Sequence, residues 1–294
     1  MFLQQRDLLD VLRASAHLHI VSIRTPSITV VHHDPLKCVR HTMRTRRLFL
    51  NRLEATPEPQ DVVVVIDVLR SFSTAAYAFT AGAAAIHPVE TAAEAIELQQ
   101  ALPQSLTTGA VPGGDPVPGF DFGNSPAALA GVDLQGRKLI QTTAAGVRGL
   151  LRFANAPSVF AGSLVCARAT ADAIRRLQPR QVMLLITGEW ADRDGDEDVA
   201  CADYLEALLA GGTPDPAPYE QRVRRSDFGR RFAAGDNPSL PLLDLDLCAR
   251  ADCFDFAMLA VHRTGRFVLL PLRSGELDVT PVDRIFPDGI HQLT

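Results

Sequence analysis

Five consecutive β-branched apolar residues, Val62-Val-Val-Val-Ile66, constrain this chain more than any other stretch. A strand with one wet face alternates polar and apolar residues. An unbroken apolar run therefore belongs to a sheet covered on both sides. The run ends in Asp67, Arg70 and the hydroxyls of Ser71, Ser73 and Thr74, and Ala75-Ala-Tyr-Ala-Phe79 then reads as a helix. Strand, charged turn and helix place these polar groups at the carboxyl end of a strand, where open α/β sheets bind ligands. The helix N-terminus there offers free N–H groups to an anion. Asp67 suits a metal or a proton, and Arg70 suits a phosphate or sulfonate. The structural alternative pairs Asp67 with Arg70 and makes Ser73 a helix cap.

From Asp61 onward strand and helix signals alternate. Strands are predicted over 84–87, 106–109, 138–141, 158–161 and 181–186. Thr91-Ala-Ala-Glu94 is a capping box that opens a helix to Ala101. Ser125-Pro126 starts a further helix with Pro at its first position. Other helices are expected after Arg148 to Phe153, after Ser163 through Arg176, and from Val199 to Ala210. Regular βαβ alternation predicts an α/β fold, a three-layer α/β/α arrangement with a mostly parallel sheet. After Gly211-Gly212 the pattern loosens into a Pro-rich loop over 213–219, a basic helix over 222–232 and a short helix over 244–250. The residues 256–261 and 266–272 read as a β-hairpin around Thr264-Gly265, part of a C-terminal elaboration.

Residues 1–42 differ from the rest, being rich in His and Arg without periodic apolar patterning. Asp7, Asp10 and Asp34 sit poorly in a transit peptide, and there is no secretory apolar core. The expectation is a loose or non-native extension, followed by a single α/β domain over 43–294 whose first strand follows Met43. Composition supports a globular core, with 47% hydrophobic and 21% charged residues. A net charge of −5 argues against a nucleic-acid surface. No run approaches the roughly 18 apolar residues that span a membrane. The 5 cysteines are odd in number and form no Cys-x-x-Cys pair, which suits free thiols in a reducing cytoplasm.

Several predicted strand ends carry small polar residues: Asp67 with Arg70, Thr142-Thr143 with Gly146, Gly162-Ser163, and Thr187-Gly188-Glu189. In a parallel sheet such ends share one edge, and together they make an oxyanion site. The acidic run Asp192 to Asp198 leaves two readings open. It is a solvated loop that favours the next helix N-terminus, or Glu197 and Asp198 face back over the sheet edge. In the second case they join Asp67 as a hard oxygen site suited to Mg²⁺. Asp67-Val-Leu69 lacks the second aspartate of an aspartyl-phosphate motif, and Gly109-x-x-x-Gly113-Gly114 lacks the ending of a P-loop. Cys201 lies among alanines on a helix and reads as packing. Trp190 either covers the site or packs on its own loop.

Together these pieces resemble the 2-phosphosulfolactate phosphatase family. The matching motifs are Val-Ile-Asp67-Val-Leu-Arg70-Ser-x-Ser-Thr74, Gly119-Phe-Asp-x-Gly-Asn-Ser-Pro126, Thr142-Thr143-x-x-Gly146, Gly162-Ser163-Leu and Glu197-Asp198-x-x-Cys201-Ala. The likeness runs from about Asp61 to Leu209. It implies a Mg²⁺-dependent phosphatase acting on a small sulfonated 2-phospho acid, as in coenzyme M biosynthesis. It also implies a cytoplasmic enzyme with a small phosphoester substrate, and it leaves room for a homo-oligomer. Asp67, Arg70, Glu197 and Asp198 are the expected catalytic residues, with Asp67, Glu197 and Asp198 on the metal. Ser71, Ser73, Gly113, Gly114, Asn124, Thr142, Thr143, Gly146, Gly162 and Ser163 are the expected substrate-binding set. Two departures stand out. Val111-Pro112 replaces the family's Glu-Arg before Gly113-Gly114, and Ala144-Ala145-Gly146 stands where the family has Thr-Asn-Gly. Arg148 and Arg168 are the candidate replacements for the lost cation. The alternative function is a non-catalytic binding protein for a phosphorylated or sulfonated metabolite; a phosphotransferase is a third. Arg70, read as a rim residue, is expected to be dispensable for the fold.

Overall fold

The computed structural model describes residues 43–57, 61–263 and 265–273. The N-terminal stretch 1–42 lies outside them. The described chain runs β1 (Arg44–Phe49), β2 (Val62–Ile66), α1 (Ser71–Thr80), β3 (Ala85–Pro88), α2 (Ala92–Ala101), β4 (Leu106–Ala110) and β5 (Phe122–Gly123). It continues with β6 (Lys138–Thr143), α3 (Gly146–Arg152), β7 (Val159–Gly162), α4 (Ala167–Leu177), β8 (Gln181–Ile186) and α5 (Asp196–Leu209). The last elements are α6 (Ala217–Arg225), α7 (Asp227–Ala234), α8 (Leu242–Cys248), β9 (Phe256–Arg263) and β10 (Arg266–Arg273).

All five residues of β2 are buried, as an apolar run without alternation requires. Each such side chain contributes about 1.5–3 kcal/mol when removed from water. Alternate residues feed two cores. Val62, Val64 and Ile66 pack with α4 and α5, and Val63 and Val65 pack with α1 and α3. The sheet is thus covered on both faces, a three-layer α/β/α arrangement with a mostly parallel ten-stranded sheet.

Strand order is β1-β8-β2-β7-β9-β10-β3-β6-β4-β5. The first four strands are mutually parallel, and so are the last four. Between them lies the β9–β10 hairpin, antiparallel to β7 on one side and to β3 on the other. The expected C-terminal hairpin is present, and it sits inside the sheet. It is the joint between the two halves of the sheet, held there by Ala257, Met258 and Leu269, all buried. Helix α3 touches strands of both halves.

Local signals account for most boundaries. Thr91 and Glu94 form the expected reciprocal capping box. The helix expected after Ser125 is a single 3-10 turn, Ala127–Leu129, because Gly131 turns left-handed at φ +81° and ends it. The expected basic helix is two helices. Ser226 breaks the run and caps α7, accepting from Gly229 N at 3.0 Å. Helix α6 starts at Ala217, inside the stretch read as a Pro-rich loop. Helix α5 starts at Asp196, so the end of the acidic run forms its first turn.

Candidate active site

Asp67 leaves the end of β2 and is buried. Its Oδ1 accepts from Ser71 N at 3.0 Å, and its Oδ2 accepts from Gly146 N at 2.9 Å. Those donors are the first residues of α1 and α3, so two helix N-termini aim at one carboxylate. A Cβ on residue 146 would stand 2.7 Å from Asp67 Oδ2, which reserves the position for glycine. Burial nevertheless outweighs the donors and holds the Asp67 carboxyl above its ordinary value.

Asp198 lies behind Asp67 and joins the ends of two strands. Its Oδ1 accepts from Val68 N at 2.8 Å, and its Oδ2 accepts from Gly188 N at 2.7 Å and Thr187 N at 3.1 Å. Burial, then the like charges of Asp67 and Glu197, push its carboxyl well above the usual range. Glu197 is 1% exposed, its Oε2 has no hydrogen-bond partner, and burial pushes it to about 7. A Cβ on residue 188 would meet Glu197 Oε1 at 2.6 Å and Asp198 Oδ2 at 3.0 Å. The two carboxylates thus share the space that Gly188 leaves open. The three carboxylates feel one another, yet among the described residues no three His, Cys, Asp or Glu side chains are arranged as a metal cage.

Arg70 does not pair with Asp67. It is 3% exposed, and its Nη1 donates to Asp244 Oδ2 at 2.7 Å and to Ser239 O at 2.8 Å. Its Nη2 donates to Gly114 O at 2.7 Å. Asp244, itself fully buried, also accepts from Ser125 Oγ at 2.8 Å and Ala127 N at 2.9 Å. The sequence reading of Arg70 as a rim residue outside the packed fold is therefore corrected. One guanidinium gathers the 114, 239 and 244 segments onto the end of β2. Sequence gave no sign of Asp244, because its partner stands 174 residues away.

A cavity of about 170 Å³ opens at this point. Of the expected residues, Asp67, Arg70, Ser71, Gly113, Gly114, Asn124 and Thr143 line it. Thr142 lines an adjoining groove with Arg148. Ser73, Gly146, Gly162, Ser163, Glu197 and Asp198 do not line the cavity; they support it from behind. Ser71 Oγ donates to Thr143 Oγ1 at 2.6 Å, Ser73 Oγ donates to Val68 O at 2.7 Å, and Ser73 and Ser163 hydroxyls meet at 2.6 Å. Gly162 O accepts from Asp67 N at 3.1 Å. The expected convergence of strand ends occurs, but not along one parallel edge. Thr143 ends β6 in the far half of the sheet, across the antiparallel hairpin.

Sequence reasoning missed Arg193, Phe228 and Arg231 on the cavity wall, and it left the place of Trp190 open between covering the site and packing. Trp190 lines the cavity. Arg231 donates to Asp192 Oδ2 at 2.8 Å. Arg193 hides between aspartates in a run read for its acids, which is the signal that could have been weighed. Of the two replacement cations expected, Arg148 donates to Asn51 Oδ1 at 2.6 Å beside the cavity. Arg168 is bound to Asp252 Oδ2 at 3.0 Å and to the Tyr204 hydroxyl at 3.0 Å, and lines no part of it. Cys201 is fully buried with its thiol pushed up by burial, as packing requires. Among the described residues no helix is long and apolar enough to cross a membrane.

Comparison with known proteins identifies the family. A family model described as 2-phosphosulpholactate phosphatase matches residues 47–234. A "Probable 2-phosphosulfolactate phosphatase" of Bacillus subtilis (strain 168) is 33% identical over 201 residues, covering 68% of this chain and 87% of that protein. One of the same description from Carboxydothermus hydrogenoformans is 40% identical over 221 residues, covering 70% of this chain and 89% of that protein. The stretch matched by the family model holds β2 with Asp67, the α5 carboxylates and the cavity wall, and the chain belongs to the 2-phosphosulfolactate phosphatase family of phosphoric monoester hydrolases.

Proposed function

We propose that this protein is a Mg²⁺-dependent phosphatase that hydrolyses 2-phosphosulfolactate, a small sulfonated 2-phospho acid, and releases inorganic phosphate. The observation that carries the reading is the cavity at the end of β2, where Asp67 and three arginines, Arg70, Arg193 and Arg231, line one wall system. Phosphoryl transfer depends mainly on positioning and on neutralising charge, and this wall supplies both.

The donor set suits a hard cation. Asp67 accepts one N–H on each oxygen, which leaves lone pairs free on both. Mg²⁺ keeps several waters and takes one or two carboxylates together with phosphate oxygens, so it needs no three-carboxylate cage. Asp67 would hold it at the wall, and Glu197 and Asp198 would add negative charge from behind. When bound, the ion would neutralise charge on the phosphoryl oxygens.

The chain's own groups do the rest. Arg70 commits three of its five N–H donors to the fold, and the others serve the phosphoryl group from a fixed position. The N-termini of α1 and α3 face the same spot and favour anionic charge. Asp67 is the carboxylate on the wall that can take a proton from the attacking water. Trp190 and Phe228 add aromatic surface to the cavity wall. The four described cysteines are free, which supports a reducing, cytoplasmic setting.

Release of inorganic phosphate from a panel of small phosphoesters, with Mg²⁺ and with EDTA, tests the reading. Binding of the esters without phosphate release would instead support the non-catalytic binding protein.

A further inference from the structure

Three residues of the cavity wall carry a buried polar atom with no hydrogen-bond partner: Asn124 Oδ1, Trp190 Nε1 and Arg193 Nε. Two of the three are N–H donors, and both belong to one tight turn. Trp190 N donates to Arg193 O at 3.1 Å, and Arg193 N donates to Trp190 O at 3.3 Å. An unsatisfied buried donor costs about 1–3 kcal/mol. A turn that keeps two of them on one cavity wall is built to meet an acceptor.

The charge around the cavity points the same way. Asp244 neutralises Arg70, and Asp192 neutralises Arg231. Arg193 makes no close ion pair among the described residues; its charge acts at longer range on Asp67, Glu197 and Asp192, and its Nε has no hydrogen-bond partner. Its guanidinium lies 4.4 Å from the Phe228 ring centroid and 5.5 Å from that of Trp190. The rings hold the cation in place without cancelling its charge. Val111 and Pro112, also on the cavity wall, are uncharged.

We propose that the Trp190–Arg193 turn is a second anion site, which holds the sulfonate of the substrate and so determines specificity. The proposal rests on the phosphatase reading given above. A sulfonate stays ionised at any working pH and presents three acceptor oxygens. The guanidinium fork meets two of them and the indole N–H meets the third. A carboxylate, with two oxygens, needs only the fork. The phosphoryl group stays near Asp67 and Arg70, and the untouched acid is gripped by Arg193.

Binding can be measured without turnover. Calorimetry on the full chain compares sulfolactate with lactate, which differ only in the sulfonate, for the wild type, Arg193→Gln, Arg193→Lys and Trp190→Phe. Wild type should bind sulfolactate at least tenfold more tightly than lactate. That preference should fall below threefold in Arg193→Gln, survive in part in Arg193→Lys and drop modestly in Trp190→Phe. Melting curves identify any variant that has unfolded, and Arg193→Lys, which keeps the charge over the rings, then carries the test. Equal wild-type affinity for the two acids overturns the proposal. So does an unchanged preference in Arg193→Gln, or an equal loss for both acids, which would put Arg193 on a group they share. Phosphate release from 2-phosphosulfolactate is assayed separately. A kept sulfonate preference without phosphate release would overturn the phosphatase reading and leave the sulfonate site standing.

Discussion

Arg70 and Asp67 leave the same strand three residues apart, and both are buried, yet they belong to opposite kinds of charge cluster. Arg70 meets Asp244 at 2.7 Å, and the pair is closed by backbone carbonyls, a serine hydroxyl and a backbone N–H. Asp67 has Asp198 and Glu197 behind it, three like charges whose carboxyls all stand above their ordinary values. The first cluster is charge-neutral, and with three of Arg70's five donors committed it fixes where three loops lie. The second is negative, and its backbone donors do not offset the burial. A buried pair whose charges cancel maintains architecture. An unbalanced like-charge cluster beside a cavity calls for a proton or a cation, and that need is what a catalytic site uses.

The largest effect should come from breaking the Arg70–Asp244 pair. Asp244→Ala leaves the Arg70 guanidinium buried without its counter-charge, which costs about 3–5 kcal/mol of stability. Arg70→Lys keeps the charge but loses the fork across Asp244, Ser239 and Gly114, so it too should melt early. Paired melting and kinetic measurements on one preparation check both. Normal melting with lost turnover in Arg70→Lys would show that the two donors Arg70 turns to the cavity matter more than the three it commits to the fold.

Next comes the cation. At 100 times its dissociation constant, Mg²⁺ should stabilise the wild type by about 2.7 kcal/mol. The same addition should hardly move Asp67→Asn. Thermal melts in EDTA and in Mg²⁺ measure this directly, and phosphatase activity should fall about a hundredfold in EDTA. Equal Mg²⁺ stabilisation of both proteins would take the ion away from Asp67.

Proton occupancy should have a smaller effect. The Glu197 carboxyl stands at about 7 in the fold, above its ordinary value near 4.5. The folded form therefore holds the proton longer than the unfolded form. Its contribution is present in full below the unfolded value and is lost as pH rises toward and through 7. In EDTA the wild type should lose on the order of 2 kcal/mol between pH 5 and pH 8. Glu197→Gln should flatten that slope, and the remainder should follow Asp67 and Asp198, which shift the same way. Melting curves across this range decide it; a wild type that gains stability toward pH 8 would reverse the sign.

Removing residues 1–42 should have the smallest effect. A chain starting at Met43 keeps β1 and both clusters, and its stability should change by no more than about 0.5 kcal/mol. A larger drop on denaturant melting would show that the extension packs on the domain.

Legibility in the sequence followed range. Val62–Ile66 declared its burial, Thr91 and Glu94 declared a cap, and the strand ends declared Asp67, Ser71 and Thr143, because periodicity and caps act over a few residues. The family resemblance added Gly113, Gly114 and Asn124 in the same way, motif by motif. Failures began where a partner had to be chosen at a distance. Ser226 split one expected helix because its own hydroxyl outcompeted the continuing backbone, a balance decided by packing. Arg193 was obscured by its acidic neighbours, since composition records a run's net charge and not which side chain turns toward a cavity.

The sequence by itself therefore determined the elements, their alternation and the residues at the strand ends, all products of local backbone and solvation preferences. The tertiary structure alone decided three things. It seated the β9–β10 hairpin between two parallel half-sheets, which brings Thr143 to Asp67 from across the joint. It gave Arg70 to Asp244 and left Glu197 and Asp198 behind the wall. It also brought Trp190, Arg193 and Phe228 to one side of the cavity. Each depends on which distant groups are desolvated together, and burial energies are fixed only when the whole chain has closed around them.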